Sequence, residues 1–254
     1  MPTVGEIYEL LNRNAPVETR LDFDNVGLLV GAPEWEADTV LLSLDITGPV
    51  IREAREKGAK LVISHHPLFF ELKTLGSGEP QGRKAMELLT GGIAAVCMHT
   101  NLDAAEGGVN DALASALGVE DAVPFEPEHI LRLGTLGEPC ALPAFLALVK
   151  EKLGCAGLRY VPGKDPVFRV AVGGGSCGSM LEEAAGAGCD TFITADVKYD
   201  VFLRAKELGI SLIDAGHFNT ENVVIPVLRD WLSEAFPSLR ILIADHHQTE
   251  EYFV

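Results

Sequence analysis

The chain has 254 residues, is 47% hydrophobic and 22% charged, and carries a net charge of −17; it is long enough for one large or two ordinary domains and apolar enough to build a core. So acidic a balance excludes nonspecific binding to nucleic acid or to an anionic membrane, both of which need basic surface. Its five cysteines (Cys97, Cys140, Cys155, Cys177, Cys189) are widely spaced and form no Cys-x-x-Cys pair, so neither a disulfide framework nor a thiolate zinc knuckle is indicated.

Met1 to Gly5 lacks the pattern of a signal peptide, and no uninterrupted apolar segment approaches membrane-spanning length. A reducing cytoplasm and no membrane partner are therefore expected. Residues 3–14 read as an amphipathic helix, with Thr3 as N-cap, Glu6 three positions on, and Val4, Ile7, Leu10 and Leu11 on one face. Asp22 to Gly27 is turn-like and precedes Leu28-Leu29-Val30-Gly31. Thr39 to Asp45 is an apolar strand ending in an acid, 50–58 a helix, and Lys60 to Ile63 a buried strand. Gly76 to Gly82 reads as a flexible surface loop, 83–90 as a helix, and Ile93 to Met98 as a strand. That strand opens into His99-Thr100-Asn101-Leu102-Asp103, and a helix over Val109 to Leu117 is closed by Gly118.

Pro124, Pro127, Pro139 and Pro143 then punctuate short segments and mark the opening of a second lobe. Leu142 to Leu153 is a helix. Phe168 to Val172 is a strand followed by Gly173-Gly174-Gly175, and Met180 to Ala187 a helix. Thr191 to Thr194 forms a strand leading to Asp196. After a helix over 201–208, the strand Ile210 to Ile213 opens into Asp214-Ala215-Gly216-His217, with Glu221 beyond. One long helix to Phe236 and a last strand over 240–244 complete the chain. This alternation predicts an α/β fold of two lobes, each with a mixed sheet covered by helices. The first is expected over 1–124 with 217–254, the second over 125–216.

An internal repeat supports two related lobes. Glu53-Ala54, Gly58 and Ile63-Ser64 match Glu183-Ala184, Gly188 and Ile193-Thr194 at constant spacing, and Gly92-Ile93 before His99 resembles Gly209-Ile210 before His217. Ligands of open α/β sheets sit at the carboxyl ends of strands. The repeat thus predicts lobes facing one another across a shared metal site in a cleft.

His65 and His66 stand at such a strand end. Consecutive strand residues point to opposite faces. Placed past the strand, with Pro67 holding His66 extended, the two imidazoles can diverge towards two neighbouring ions. Other strand exits carry His99 and Asp103, Asp196, and His217 with Glu221. The i, i+4 spacing of the last pair brings both side chains to one side of a helical turn. The triple glycine lacks the Gly-Lys-Ser/Thr ending of a phosphate loop and reads as a tight turn. His246-His247 repeats the dipeptide without its following proline. Lys73 and Lys198 read as solvated surface charges, with contact to a phosphate the alternative, and His129 reads as ordinary.

Together, Asp24-Asn25-Val26-Gly27, Ser64-His65-His66-Pro67, His99-Thr100-Asn101-Leu102-Asp103, Gly173-Gly174-Gly175, Thr194-Ala195-Asp196, and Gly216-His217 with Glu221 resemble the NIF-three-like family, also called GTP cyclohydrolase I type 2 homologues, essentially end to end. The resemblance implies a two-lobed α/β fold, a dinuclear metal site and a homohexamer. It implies His65, His66, Asp103, His217 and Glu221 as metal ligands, with Glu221 the bridge, His66 and Asp103 on one ion, and His65 and His217 on the other. His99 matches a position lining the site. Ala195 and Asp200 depart from the family's usual glycine and histidine, which leaves Asp200 outside the catalytic set.

Three imidazoles and two carboxylates suit Zn, Mn, Fe or Ni. Two divalent ions against two acids leave about two positive charges for hydroxide and an incoming anion. The expected activity is metal-dependent hydrolysis of a small anionic, nucleotide-like or phosphorylated substrate, with His99 the candidate for moving a proton or orienting a ligand. The alternative is a non-catalytic metal-binding ring that recruits partners.

Overall fold

The computed structural model describes residues 1–76, 78–125, 128–252 and 254; Ser77, in the Gly76–Gly82 stretch, and Pro127 lie outside the described residues. In chain order the first elements are α1 (Val4–Asn14), β1 (Gly27–Val30), β2 (Thr39–Ser43), α2 (Gly48–Glu56), β3 (Leu61–Ser64), α3 (Pro80–Thr90), β4 (Ala94–Cys97), α4 (Thr100–Ala104) and α5 (Val109–Ala116). They are followed by β5 (Val119–Pro124), β6 (Arg132–Cys140), α6 (Leu142–Leu153), β7 (Arg159–Val161), β8 (Val167–Val172), α7 (Leu181–Gly186) and β9 (Thr191–Thr194). The chain continues through α8 (Tyr199–Leu208), β10 (Ser211–Asp214), α9 (His217–Glu221), α10 (Val224–Ala235) and β11 (Arg240–Ile243). The fold is the mixed α/β arrangement expected, with two mixed sheets covered by helices.

Two compact units divide the chain: 1–106 with 225–248, and 107–224 with 249–254. These bounds differ from the expected 1–124 with 217–254 and 125–216: α5 packs with the second unit, and residues 217–224 and 249–254 belong to it as well. Leu113, Ala114 and Leu117 share a core with Phe145, Val170 and Ile213, and β5 pairs with β6.

In the first unit the strand order is β1-β4-β3-β2-β11. Strands β2, β3, β4 and β11 run parallel, and β1 closes the edge antiparallel to β4. Leu41, Val62 and Ala95 on one face pack with Val50, Ile51 and Ala54 of α2 and Leu88 of α3. Their alternates Val40, Leu42, Leu61, Ile63, Ala94 and Val96 are buried too. Burial on both faces is why these strands read as unbroken apolar runs.

The second unit has the order β5-β6-β8-β9-β10-β7. Its central strands β8, β9 and β10 are parallel. Val170, Val172, Ile193 and Ile213 face α5 and α6; Ala171, Phe192 and Leu212 face α7 and α8.

The sequence repeat has a structural counterpart. Val40, Leu61 and Ala94 lie in register across β2, β3 and β4; Val170, Thr191 and Ser211 do so across β8, β9 and β10. Each triplet carries a short antiparallel edge strand on its third member, β1 on β4 and β7 on β10. Matching glycines take positive φ, Gly58 (73°) with Gly188 (83°) and Gly92 (62°) with Gly209 (71°). The first pair ends its helices alike: Ala59 N donates to Ala54 O at 2.8 Å and Cys189 N to Ala184 O at 3.1 Å.

Several elements depart from the sequence reading. The capping box of α1 is present, with Thr3 and Glu6 bonded reciprocally, but α3 starts at Pro80, so Gly82 is helical rather than part of a loop. A Cβ there would lie 2.7 Å from Thr74 O and 2.8 Å from Gly76 O. The long helix expected after Glu221 is α10, and a separate short helix, α9, carries His217 and Glu221 before it. Pro226 has no N–H and its ring would collide with the Asn222 carbonyl, so it fits only the first turn of a new helix. Strands β1, β5, β6 and β7 have no counterpart in the reading. Pro139 falls inside β6, at an irregularity in its pairing with β8 between Thr135 and Cys140.

Candidate metal centre

At the ends of β2 and β3 the chain turns in the same way. Ser43 Oγ donates to Asp45 O and Ser64 Oγ to His66 O, each at 2.7 Å, and His66 N donates to Leu44 O at 2.8 Å. This hydroxyl-braced exit presents His65 and His66 side by side, their ring centroids 5.0 Å apart and tilted by 47°. His99, after β4, stands 5.2 Å from the His65 ring and 5.7 Å from that of His66. The nitrogen donors of these three histidines lie within 4.8 Å of one another, a group that could hold a metal ion.

Their hydrogen bonds fix which nitrogen is offered. His65 is fully buried and its Nδ1 is 2.9 Å from Met98 O. A carbonyl only accepts, so Nδ1 carries the proton and Nε2 is the basic nitrogen. His66 Nδ1 stands 2.9 Å from Asp45 Oδ1, and His99 Nδ1 2.9 Å from Asp24 Oδ1. Carboxylate partners set the same polarity in the neutral rings. Asp103, buried in α4, brings Oδ1 to 3.6 Å from His65 Nε2.

Asp24 shows what the Asp-Asn-Val-Gly stretch does. Its Oδ2 accepts from Thr100 N at 2.9 Å and Thr100 Oγ1 at 2.5 Å, while Oδ1 holds His99. Burial pushes this carboxyl up, but the bonds from His99 and Thr100 prevail and hold it at about 2. Asn25 Nδ2 donates to Phe69 O at 2.8 Å, which fastens the segment following Pro67.

The second unit carries His217 and Glu221 on α9, one helical turn apart, with His217 Nε2 3.1 Å from Glu221 Oε2. His217 Nδ1 is 2.7 Å from Asp196 Oδ2. Asp196 sits at φ +52°, a left-handed conformation uncommon for a residue with a side chain. The next residue is held by Asp214, whose Oδ2 accepts from Val197 N at 3.0 Å and also pairs with Arg159.

The glycine run gives Glu221 its space. Gly174 N donates to Asn110 Oδ1 of α5 at 2.7 Å and Gly175 N to Thr220 Oγ1 of α9 at 3.0 Å, holding the turn against both helices. Gly175 has φ +62°, and a Cβ there would fall 2.1 Å from Glu221 Oε1 and 3.2 Å from His217 Nε2. The tight-turn reading of this stretch therefore omitted its second use, a cradle for a carboxylate.

Thus the first unit brings together His65, His66, His99 and Asp103, and the second His217 and Glu221. Asp24, Asp45 and Asp196 orient three of the imidazoles, a role the sequence reading gave to none of them: Asp24 and Asp45 read as turn and strand-end acids, and Asp196 as a metal-capable group at a strand exit. Their signal was an acid at a strand exit or loop, which turn chemistry also explains. His246 and His247 serve elsewhere in the first unit: His246 Nδ1 is 2.8 Å from Glu53 Oε2, and His247 Nδ1 accepts from Leu44 N at 3.0 Å. Lys73 and Lys198 are exposed. Among the described residues no helix is long and apolar enough to cross a membrane.

A family model described as Duf34/NIF3 (NGG1p interacting factor 3) matches residues 2–254. A Clostridium perfringens protein named GTP cyclohydrolase 1 type 2 homolog is 35% identical over 243 residues, 92% of this chain and 93% of its own length. A Helicobacter pylori protein named GTP cyclohydrolase 1 type 2 is 35% identical, covering 87% of this chain and 88% of its own. Among solved structures, a Staphylococcus aureus hypothetical protein superposes with a TM-score of 0.89 at 25% identity over 100% of both chains. Reduced HcgD from Methanocaldococcus jannaschii does so at 0.84 and 26% identity, over 96% of this chain and 98% of its own.

Proposed function

The chain belongs to the Duf34/NIF3 family, and from that premise we propose that it is a metal-dependent hydrolase of small nucleotide-like or phosphorylated compounds. The supporting observation is the shared orientation of its histidines. His65, His66, His99 and His217 each turn Nδ1 to an oxygen partner and so offer Nε2. In His65, His66 and His99 that polarity is combined with ring nitrogens lying within 4.8 Å of one another. His65, His66, Asp103, His217 and Glu221 are the proposed ligands of two divalent ions, a nitrogen and oxygen set suited to Zn, Mn, Fe or Ni.

When bound, the ions supply Lewis acidity, favouring deprotonation of water near neutral pH and polarising the bond under attack. The chain's own residues do the rest. Asp24 holds the Nδ1 proton of His99 and so leaves Nε2 to take up or return a proton during hydrolysis. Met98 O and Asp45 hold His65 and His66 in the required tautomer before any ligand arrives. The relatives named for GTP cyclohydrolase 1 type 2 favour a purine nucleotide as the first substrate to try. The assembly is proposed to be a cytoplasmic homohexamer, which sizing chromatography tests.

The deciding experiment is elemental analysis and a nucleotide hydrolysis panel on the wild type, His65→Ala and Glu221→Ala. Each variant is expected to lose most of its metal and all hydrolysis. Stoichiometric metal retained in both would rule out this ligand set.

A further inference from the structure

Two phenylalanines in the first unit are exposed where a folded protein gains nothing from exposing them. Phe23 is 64% and Phe70 55% accessible. They come from separate segments, the Asp22–Asn25 turn and the stretch after Pro67, yet their ring centroids lie 6.2 Å apart at an interplanar angle of 49°. The Phe70 ring in turn stands 5.8 Å from that of His99, edge to face. His99 belongs to the histidine group described above, so Phe70 touches both Phe23 and that group.

The pair is also held in place. Asn25 Nδ2 donates to Phe69 O at 2.8 Å and so ties the segment bearing Phe70 to the turn bearing Phe23. Asp24, between Phe23 and Asn25, is bound to both His99 and Thr100. Hydrogen bonds thus fasten both backbones beside His99, while the rings remain in water. Aromatic faces fixed in that way at the rim of a polar site suit stacking with a planar ring. A separation of 6.2 Å with a 49° tilt leaves no slot between them, so a ligand ring would lie on an outer face of the pair.

We propose that Phe23 and Phe70 form an aromatic platform that binds the heteroaromatic base of a nucleotide, leaving its phosphorylated part to the histidine cluster. This rests on the metal-site reading given above and adds to it the part of the substrate that reading leaves unassigned. Phe23 and Phe70 are positioning residues for the base and take no part in proton transfer.

The test compares two probes that share a sugar phosphate and differ in the base. Guanosine 5′-monophosphate and ribose 5-phosphate are titrated calorimetrically into the metal-loaded full-length protein, its Phe70→Ala and Phe23→Ala/Phe70→Ala variants, and a Phe70→Trp variant. Metal content and circular dichroism are measured on the same samples. Wild type is expected to bind the nucleotide roughly ten-fold or more tightly than the sugar phosphate, the scale of one base stacked on an aromatic face. The alanine variants should lose that preference, keep their affinity for ribose 5-phosphate and retain metal, and Phe70→Trp should restore the preference. A preference that survives in the double variant, or is missing from wild type, overturns the platform. If wild type binds neither probe, the platform falls as well; retained metal lost on substitution of His65 or Glu221 would leave the metal site standing, whereas metal unaffected by those substitutions would remove both.

Discussion

At Gly175 a missing side chain is as informative as the candidate ligands around it. The residue combines a positive φ with a site where a Cβ would meet Glu221 Oε1 at 2.1 Å. Gly175→Ala therefore costs about 1–2 kcal/mol in backbone strain and also displaces the carboxylate. The expected outcome is a lower thermal midpoint together with a loss of bound metal, measured by calorimetry and elemental analysis. A variant that loses stability and keeps full metal would assign Gly175 to the turn alone. The histidines and acids proposed as ligands drew attention in the sequence because residues that can hold a metal ion are chemically conspicuous at strand exits. The orienting role of three further acids did not, since Asp24, Asp45 and Asp196 show no sign of it until Nδ1 is seen 2.7–2.9 Å away. Gly175 was visible only as part of a turn, because space reserved for a distant residue leaves no local mark.

Among elements, the parallel strands and their helices were readable from apolar runs and capping chemistry. The antiparallel edges were not. Among the described residues β1 pairs with β4 alone, and β6 contains Gly134, Gly137 and Pro139, residues that local propensity counts against a strand. Pairing on both sides, with β5 and β8, overrides that propensity. Helix α2 shows a different kind of tertiary constraint. Buried Glu53 accepts from Lys57 Nζ at 2.6 Å, from Asp245 N at 2.7 Å and from His246 N at 3.0 Å, which fastens the segment after β11 to the helix. Burial raises this carboxyl, but those bonds outweigh it and bring it from 4.5 to about 2. A folded value below the unfolded one means that the contribution is full above pH 4.5 and fades as pH falls towards 2. Glu53→Gln should therefore lower the urea midpoint at pH 7 by the equivalent of about 2 kcal/mol, and the gap to wild type should close near pH 2–3. A gap independent of pH would assign the loss to packing rather than charge.

For the whole molecule, the repeat gives two units with one plan: three parallel strands in common register, an antiparallel strand on the third, and a histidine-bearing segment after it. They differ in what completes the first parallel strand. In the second unit β8 is flanked by β6, which precedes it in the chain. In the first, β2 is flanked by β11, from the far end of the chain. A chain truncated after Leu239 would leave the buried strand β2 with an open hydrogen-bonding edge. It is expected to aggregate, measured as the fraction sedimenting at low speed, while the full chain remains in solution. A truncated chain as soluble as the full one would show that β2 needs no cover.

The same arrangement bears on synthesis at the ribosome. Residues 107–224 emerge consecutively and hold their own sheet and core clusters, so that half can mature while translation continues. The amino-terminal half, although made first, must wait for the final strand. During that interval its donors are already translated but their scaffold is unfinished, so cations captured early would meet a nascent site whose geometry is still being settled.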